Sequence, residues 1–133
     1  MNVYTIGEDI QEHWHWVQPY LSATIEGHPH GYPEQNYLDS IKDGHTLVLV
    51  IESDEGERMC VSLLTRKPNA LHVTSAAGYG LEQWGSVAEQ VLTEIATGMG
   101  VEFITSNARK GWAKIQTQHN GWEEREVFIV RTV

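Results

Sequence analysis

The chain has 133 residues, 41% of them hydrophobic and 20% charged, which excludes a disordered composition and predicts one folded domain over residues 1–133. Eighteen acidic and nine basic residues give a formal charge of −9, which disfavours binding to nucleic acid or to anionic membranes. No apolar run is long enough to span a membrane, no signal peptide is evident, and the single cysteine, Cys60, excludes an internal disulfide and is predicted to be a buried strand thiol.

The first half of the chain predicts a strand followed by two helices. Val3–Ile6 is a short candidate strand, and apolar residues recur at helical spacing across Glu8–Leu21. Pro19 is expected to end or bend the last turn of this first helix. A second helix is predicted to begin at Pro33 and to stop at Gly44.

The middle of the chain predicts an antiparallel hairpin and a third strand. Two apolar runs, Leu47–Ile51 and Met59–Leu64, flank the acidic turn SDEGER, which is a hairpin signal. A turn at Arg66–Asn69 leads to a third strand over Ala70–Ala76. An apolar stripe then predicts one long helix over Leu81–Met99.

The remaining residues complete a predicted α/β fold of the α+β type. They are expected to form a strand over Val101–Ser106, a helix over Ala108–His119 and a last strand over Glu126–Val133. The order is therefore β-α-α-β-β-β-α-β-α-β. It predicts a mixed, mostly antiparallel central sheet with helices on both faces.

The segment between the third strand and the long helix has the composition of an anion-binding loop. Free amides at a helix start attract an anion, and Gly78 and Gly80 let its oxygen atoms approach without interference from a Cβ. This loop and the element order resemble the GNAT superfamily of acyl-CoA-dependent N-acyltransferases over nearly the whole chain. The resemblance implies that coenzyme A, if it binds, contacts Ser75, Gly78, Tyr79, Gly80 and Asn107.

Four departures separate the chain from the family pattern. Ser75 stands where the family motif has Gln or Arg, and Thr117 stands where many members have a tyrosine that protonates the leaving thiolate. Only eleven residues follow Trp122, enough for one terminal strand rather than the family's usual two. Glu82 adds negative charge to the first turn of the helix that would bind the phosphates.

The candidate catalytic residue is His72, whose side chain is expected to alternate away from Leu71 and Val73. An imidazole is a suitable general base for an ammonium proton, although this position favours a structural histidine that is hydrogen-bonded within the sheet. Glu52 is a weaker candidate base.

No metal site is expected, and one tryptophan is a candidate contact residue. Residues two apart on a helix point to different sides, so His13 and His15 are not expected to chelate one ion. His28 and His30 flank a proline, and neither pair belongs to a recognised metal motif. Trp16 is either an exposed anchor for a protein partner or a satellite core residue.

Two functional hypotheses remain open. The first is a catalytically degenerate GNAT-like protein, of the kind encoded by tailed phages, which acts as a structural, accessory or adaptor subunit. It implies no cofactor, and its expected partners are virion proteins or copies of itself, in the host cytoplasm or the virion. The alternative is an N-acetyltransferase that uses acetyl-CoA to modify a cationic amine. The departures in the motif favour the first hypothesis.

Overall fold

The computed structural model of the chain describes residues 1–26 and 34–106, which form eight elements in the predicted order. Their bounds are β1 Asn2–Ile6, α1 Ile10–Glu26, α2 Glu34–Lys42, β2 Thr46–Glu52, β3 Arg58–Lys67, β4 Ala70–Gly78, α3 Leu81–Met99 and β5 Phe103–Ser106. The helix predicted over Ala108–His119 and the strand predicted over Glu126–Val133 lie outside the described residues. No helix in the described part is both long enough and apolar enough to cross a membrane.

The five described strands form one sheet in the order β1-β2-β3-β4-β5. Neighbouring strands from β1 to β4 are antiparallel, whereas β4 and β5 are parallel. A parallel pair needs a crossover connection, and α3 provides it. The prediction of a mixed, mostly antiparallel sheet is therefore confirmed.

The helices cover both faces of this sheet, as the sequence predicts. Strand β2 shows the division, because Val48 and Val50 pack in one cluster with residues of α1 and α2. Leu49 and Ile51 alternate to the opposite face and lie in the clusters that contain residues of α3. We call these the α1–α2 face and the α3 face.

The first helix is longer than the sequence predicts. It continues through Pro19 to Glu26, so the expectation that the proline ends the helix is wrong, and the alternative, that Pro19 bends it, stays a prediction. Proline removes one intrahelical hydrogen bond, but Pro19 is exposed, so the carbonyl that loses its partner can be solvated. Val17 and Leu21, both fully buried, anchor the helix to the sheet on either side of the proline.

Cys60 is the buried strand thiol that the sequence predicts. It is 2% exposed and packs on the α3 face against Trp84 and its neighbours. Burial raises the pKa of the Cys60 thiol to about 12. The side chain therefore remains a protonated thiol near neutral pH and behaves as a small apolar residue.

Candidate functional site

A β-bulge interrupts β4 at Thr74. Ser75 pairs with Leu63 and Val73 pairs with Leu64, which leaves Thr74 as an extra residue between them. Such a bulge re-aims the side chains that follow it along the strand. The bulge lies beyond Val73, so it does not disturb the alternation predicted for His72 relative to Leu71 and Val73.

Side-chain hydroxyls hold this bulge to the rest of the sheet. Thr74 Oγ1 lies 2.6 Å from Thr65 Oγ1, which lies 3.4 Å from Thr46 Oγ1, and Thr46 lies 2.7 Å from the hydroxyl of Ser40 on α2. We call these four residues the hydroxyl ladder. The sequence gives no signal for it, because the four residues are scattered over one helix and three strands.

Beyond the bulge, β4 ends in a loop that lies against the start of β3. The amide of Tyr79 donates to the carbonyl of Met59 at 2.9 Å. Gly78 has φ 150°, and a Cβ at this position would lie 2.0 Å from the same carbonyl oxygen. Only glycine fits at residue 78 without a shift of the backbone.

Gly80 then begins α3 in a left-handed conformation. Its φ is 75°, no side chain caps the helix, and its carbonyl accepts from the amides of Gln83 and Trp84 at 2.8 and 3.3 Å. The first amides of a helix have no intrahelical acceptor, and the helix dipole adds positive potential at this end. The loop therefore has the backbone shape of an anion-binding site.

The charges near this loop are negative. Glu82 is exposed in the first turn of α3, and the Tyr79 hydroxyl donates to the Glu57 carboxylate at 2.7 Å. That hydrogen bond, followed by burial and by the charge of Glu57, raises the pKa of Tyr79. A polyphosphate would thus find a fitting backbone, while the two nearby carboxylates would oppose its charge.

His72 lies on β4 before the bulge and is half-buried. Its cross-strand partner is Thr65, and Leu71 and Val73 pack on the α3 face, so the imidazole alternates to the α1–α2 face as expected. Its Nδ1 is 2.8 Å from the Thr105 hydroxyl on β5. Burial first, and the Lys67 charge second, lower the pKa of His72, so the ring is neutral near pH 7.

Most of the predicted site residues lie on β4 or directly after it. Ser75, Gly78, Tyr79 and Gly80 follow the bulge in sequence, and His72 precedes it by two residues. Asn107 and Thr117 lie outside the described residues. Glu52 does not join His72, because it lies at the far end of β2, where its carboxylate accepts from the Tyr4 hydroxyl at 2.6 Å.

His13 and His15, the two candidate metal ligands on α1, have different surroundings. His13 interacts with Asp9 at 3.4 Å, and its Nδ1 accepts from the indole of Trp16 at 3.3 Å, whereas His15 is exposed. Donor atoms of Asp9, Glu12 and His13 lie within 4.8 Å of one another at the surface. Such exposed acidic groups are common in proteins that hold no metal.

Arg58 is a cation beside this region that the sequence reasoning missed. Its guanidinium carbon lies 3.9 Å from the centroid of the Trp16 ring, and its Nε atom is buried without a hydrogen-bond acceptor. Trp16 is partly buried and packs against the core cluster, so it occupies a satellite core position. No local sequence signal pairs Trp16 with Arg58, because the two residues lie on different elements.

The fold is that of the GNAT acetyltransferases. An aminoglycoside acetyltransferase from an uncultured soil metagenomic sample, in complex with sisomicin, superimposes with a TM-score of 0.66 at 13% identity, covering 99% of this chain and 95% of that chain. A ribosomal-protein-alanine N-acetyltransferase from Brucella melitensis biovar Abortus 2308 gives 0.63 at 15% identity, covering 99% and 100%.

A further neighbour of the same fold is an aminoglycoside 6′-N-acetyltransferase in complex with CoA. It gives a TM-score of 0.58 at 14% identity and covers 99% of each chain. No protein-family profile matches the sequence, and no curated protein matches it. At these identities the similarity defines the fold and leaves the activity to be argued from the site.

Proposed function

We propose that the chain is an acyl-CoA-dependent N-acetyltransferase that acts on a cationic amine. The observation that carries this proposal is the loop from Gly78 to Gly80, which joins a bulged strand to an uncapped helix start. Gly78 fits against Met59 only because it has no side chain, and Gly80 turns the chain into α3. This backbone shape suits a pyrophosphate.

The residues of β4 supply the rest of the proposed chemistry. Bound acyl-CoA supplies a thioester carbonyl, which a backbone amide beside Ser75 would polarise. His72 is neutral because its pKa is lowered, and Thr105 fixes its ring. It would accept the ammonium proton through water, and the free amine would form a bond to the acyl carbon. The bond from that carbon to sulfur would break, and the sulfur would leave as the coenzyme thiol with the second proton of the amine.

The negative charge of the chain supports a cationic acceptor. Glu52 ends β2, and the turn that follows carries Asp54, Glu55 and Glu57, of which Glu57 reaches the loop through Tyr79. A cluster of one sign of charge raises the local concentration of the opposite ion. The same carboxylates that oppose a phosphate therefore favour an ammonium group.

The second candidate is a catalytically degenerate protein of the GNAT fold that serves as an accessory or adaptor subunit of a phage particle. The specific observation in its favour is the negative charge at the loop, where Glu57 and Glu82 oppose the coenzyme phosphates. On this proposal the protein keeps the shape of the GNAT scaffold, and its partners are virion proteins or copies of the same chain.

Calorimetric titration with acetyl-CoA separates the two candidates. Gly80→Glu places a carboxylate at the start of α3, and Gly100→Glu is its matched control at the other end of the same helix. Both glycines are left-handed, with φ 75° and 73°, so the two variants carry similar backbone strain. The transferase proposal predicts micromolar binding to the wild type and the control, weakened about tenfold or more by Gly80→Glu.

The opposite result would favour the adaptor. If the folded wild type gives no heat with millimolar coenzyme, the transferase proposal fails. Equal binding by both variants would instead show that the coenzyme binds elsewhere than at the start of α3.

A further inference from the structure

Arg58 is held in one orientation by a chain of contacts that begins on α1. Asp9 interacts with His13 Nε2 at 3.4 Å, His13 Nδ1 accepts from Trp16 Nε1 at 3.3 Å, and the Trp16 ring stacks on Arg58 at 3.9 Å. A neutral imidazole satisfies both of its nitrogens in this arrangement, since Nε2 then carries the proton that points to Asp9. We call these four residues the α1–Arg58 chain.

One donor of the Arg58 guanidinium has no acceptor among the described residues. Its Nε atom is buried and makes no hydrogen bond within residues 1–26 and 34–106, and no carboxylate of that part forms an ion pair with it. Glu52 is the cross-strand partner of Arg58, and the Tyr4 hydroxyl interacts with both, since it donates to Glu52 Oε1 and lies within hydrogen-bonding reach of the Arg58 guanidinium. A buried donor without an acceptor destabilises a fold, and such groups are retained at binding sites.

This geometry suits a carboxylate ligand. A guanidinium binds a carboxylate through two parallel N–H donors, and Nε is one of the two on its side edge. The stacked indole covers one face of the group, and a carboxylate that reached the Nε edge would lie in the plane of the guanidinium. Arg58 is half-buried, which strengthens such a bond relative to an exposed arginine.

Groups that suit an ammonium lie next to this arginine. Glu57 precedes it in the chain, and the Glu57 carboxylate accepts from Tyr79, the residue between the two glycines of the loop. We propose that Arg58, held by Trp16, binds the carboxylate of the acyl acceptor, and that the acceptor is an amino acid whose ammonium faces Glu57. The acceptor role rests on the proposed transferase function, whereas carboxylate binding by Arg58 does not.

The test of carboxylate binding uses no coenzyme. In ¹⁵N-labelled protein the Arg58 Nε and Trp16 Nε1 signals are followed by NMR during titration with acetate, glycine or methylamine at constant ionic strength. Acetate and glycine should shift both signals saturably, and methylamine should leave the Arg58 signal in place. No saturable shift with acetate and glycine overturns the proposal.

Two variants test whether Arg58 binds acetate through paired hydrogen bonds or through its charge alone. Arg58→Lys keeps the charge but loses the planar fork, and with it the face that stacks on Trp16, so acetate binding, read from Trp16 Nε1, should weaken about tenfold. Arg66→Lys is the matched control, because Arg66 is exposed at the other end of β3, and it should bind acetate as the wild type does. Equal weakening in both variants would contradict a specific site.

The acceptor role is tested by acetylation of amino acids against their decarboxylated amines. The wild type should prefer the amino acids by about tenfold or more, and Arg58→Lys should lose that preference. Acetylation of the decarboxylated amines alone would overturn the acceptor assignment and leave the transferase function standing. Acetate binding without any binding of acetyl-CoA would retain the anion site and remove the transferase.

Discussion

At the scale of single residues, Gly78 carries the tightest constraint in the site. A Cβ at this position would lie 2.0 Å from the Met59 carbonyl oxygen and 2.9 Å from the Cys60 Cα, both of which are backbone atoms. Gly78→Ala should therefore lower the free energy of unfolding by about 3 kcal/mol, since the two strands must move apart. Urea unfolding measures this loss.

Gly98 provides the control for that substitution. It lies in the last turn of α3, and a Cβ there meets nothing within 4 Å. Gly98→Ala should raise the free energy of unfolding by up to about 1 kcal/mol, because alanine favours the helix. If both variants changed stability in the same direction, the close approach at Gly78 would be wrong.

His72 should make the stability of the fold depend on pH. Burial and Lys67 lower its pKa in the folded state below the ordinary value of 6.5, so the unfolded chain binds the proton more readily. Above pH 6.5 the imidazole is neutral in both states and contributes nothing to this dependence. As the pH falls below about 6.5, the unfolded state gains protons first and the fold loses stability.

The variant His72→Gln isolates this contribution. Urea unfolding at about pH 7.5 and pH 5.5 should show a larger loss of stability on acidification in the wild type than in the variant. The other histidines are present in both proteins and cancel in the comparison. An equal loss in the two proteins would show that His72 is not desolvated in the folded state.

At the scale of elements, the hydroxyl ladder should stabilise the bulge of β4. Thr65 lies in its middle, so Thr65→Val leaves the hydroxyls of Thr74 and Thr46 without this partner, and Thr46 is 3% exposed. The free energy of unfolding should fall by about 1–3 kcal/mol. Thr97→Val, on the exposed surface of α3, should change it by no more than about 0.5 kcal/mol.

The bounds of the helices and strands show which local sequence signals were sufficient to predict them. Alternation and turn residues predicted β2, β3 and β4 to within three residues at each end, because these strands are bounded by polar turns. Pro19 misled the prediction of α1, since the burial of Val17 and Leu21 outweighs one lost hydrogen bond. The bulge at Thr74 was missed because register depends on the partner strand, which local pattern does not reveal.

At the scale of the whole molecule, the fold was far more predictable than the site. The order of elements indicated a GNAT-like sheet, and the described part of the chain confirms its topology and its two covered faces. The stacking of Trp16 on Arg58 joins α1 to the start of β3, 42 positions away by their numbers, and only the folded chain reveals it. Residues that meet across such separations leave no periodic signal.

The charges near the loop from Gly78 to Gly80 were likewise harder to predict than the fold. No Lys or Arg lies between Lys67 and Arg109, so the local sequence offers the loop no cation. In the folded chain the loop contacts Met59, and Arg58 is the residue before it. The cation near the loop is therefore Arg58 of β3. It lies on the α1–α2 face, where the proposed acceptor rather than the coenzyme would meet it.

The central claim is that this chain transfers an acyl group to an amine. The most direct measurement is mass spectrometry of amines incubated with acetyl-CoA and either the wild type or Gly80→Glu, with Gly100→Glu as the control. The transferase account predicts an N-acetylated product from the wild type and the control, with at least about tenfold less from Gly80→Glu. Binding of acetyl-CoA without acetylation of any of these amines above the enzyme-free rate would contradict the account.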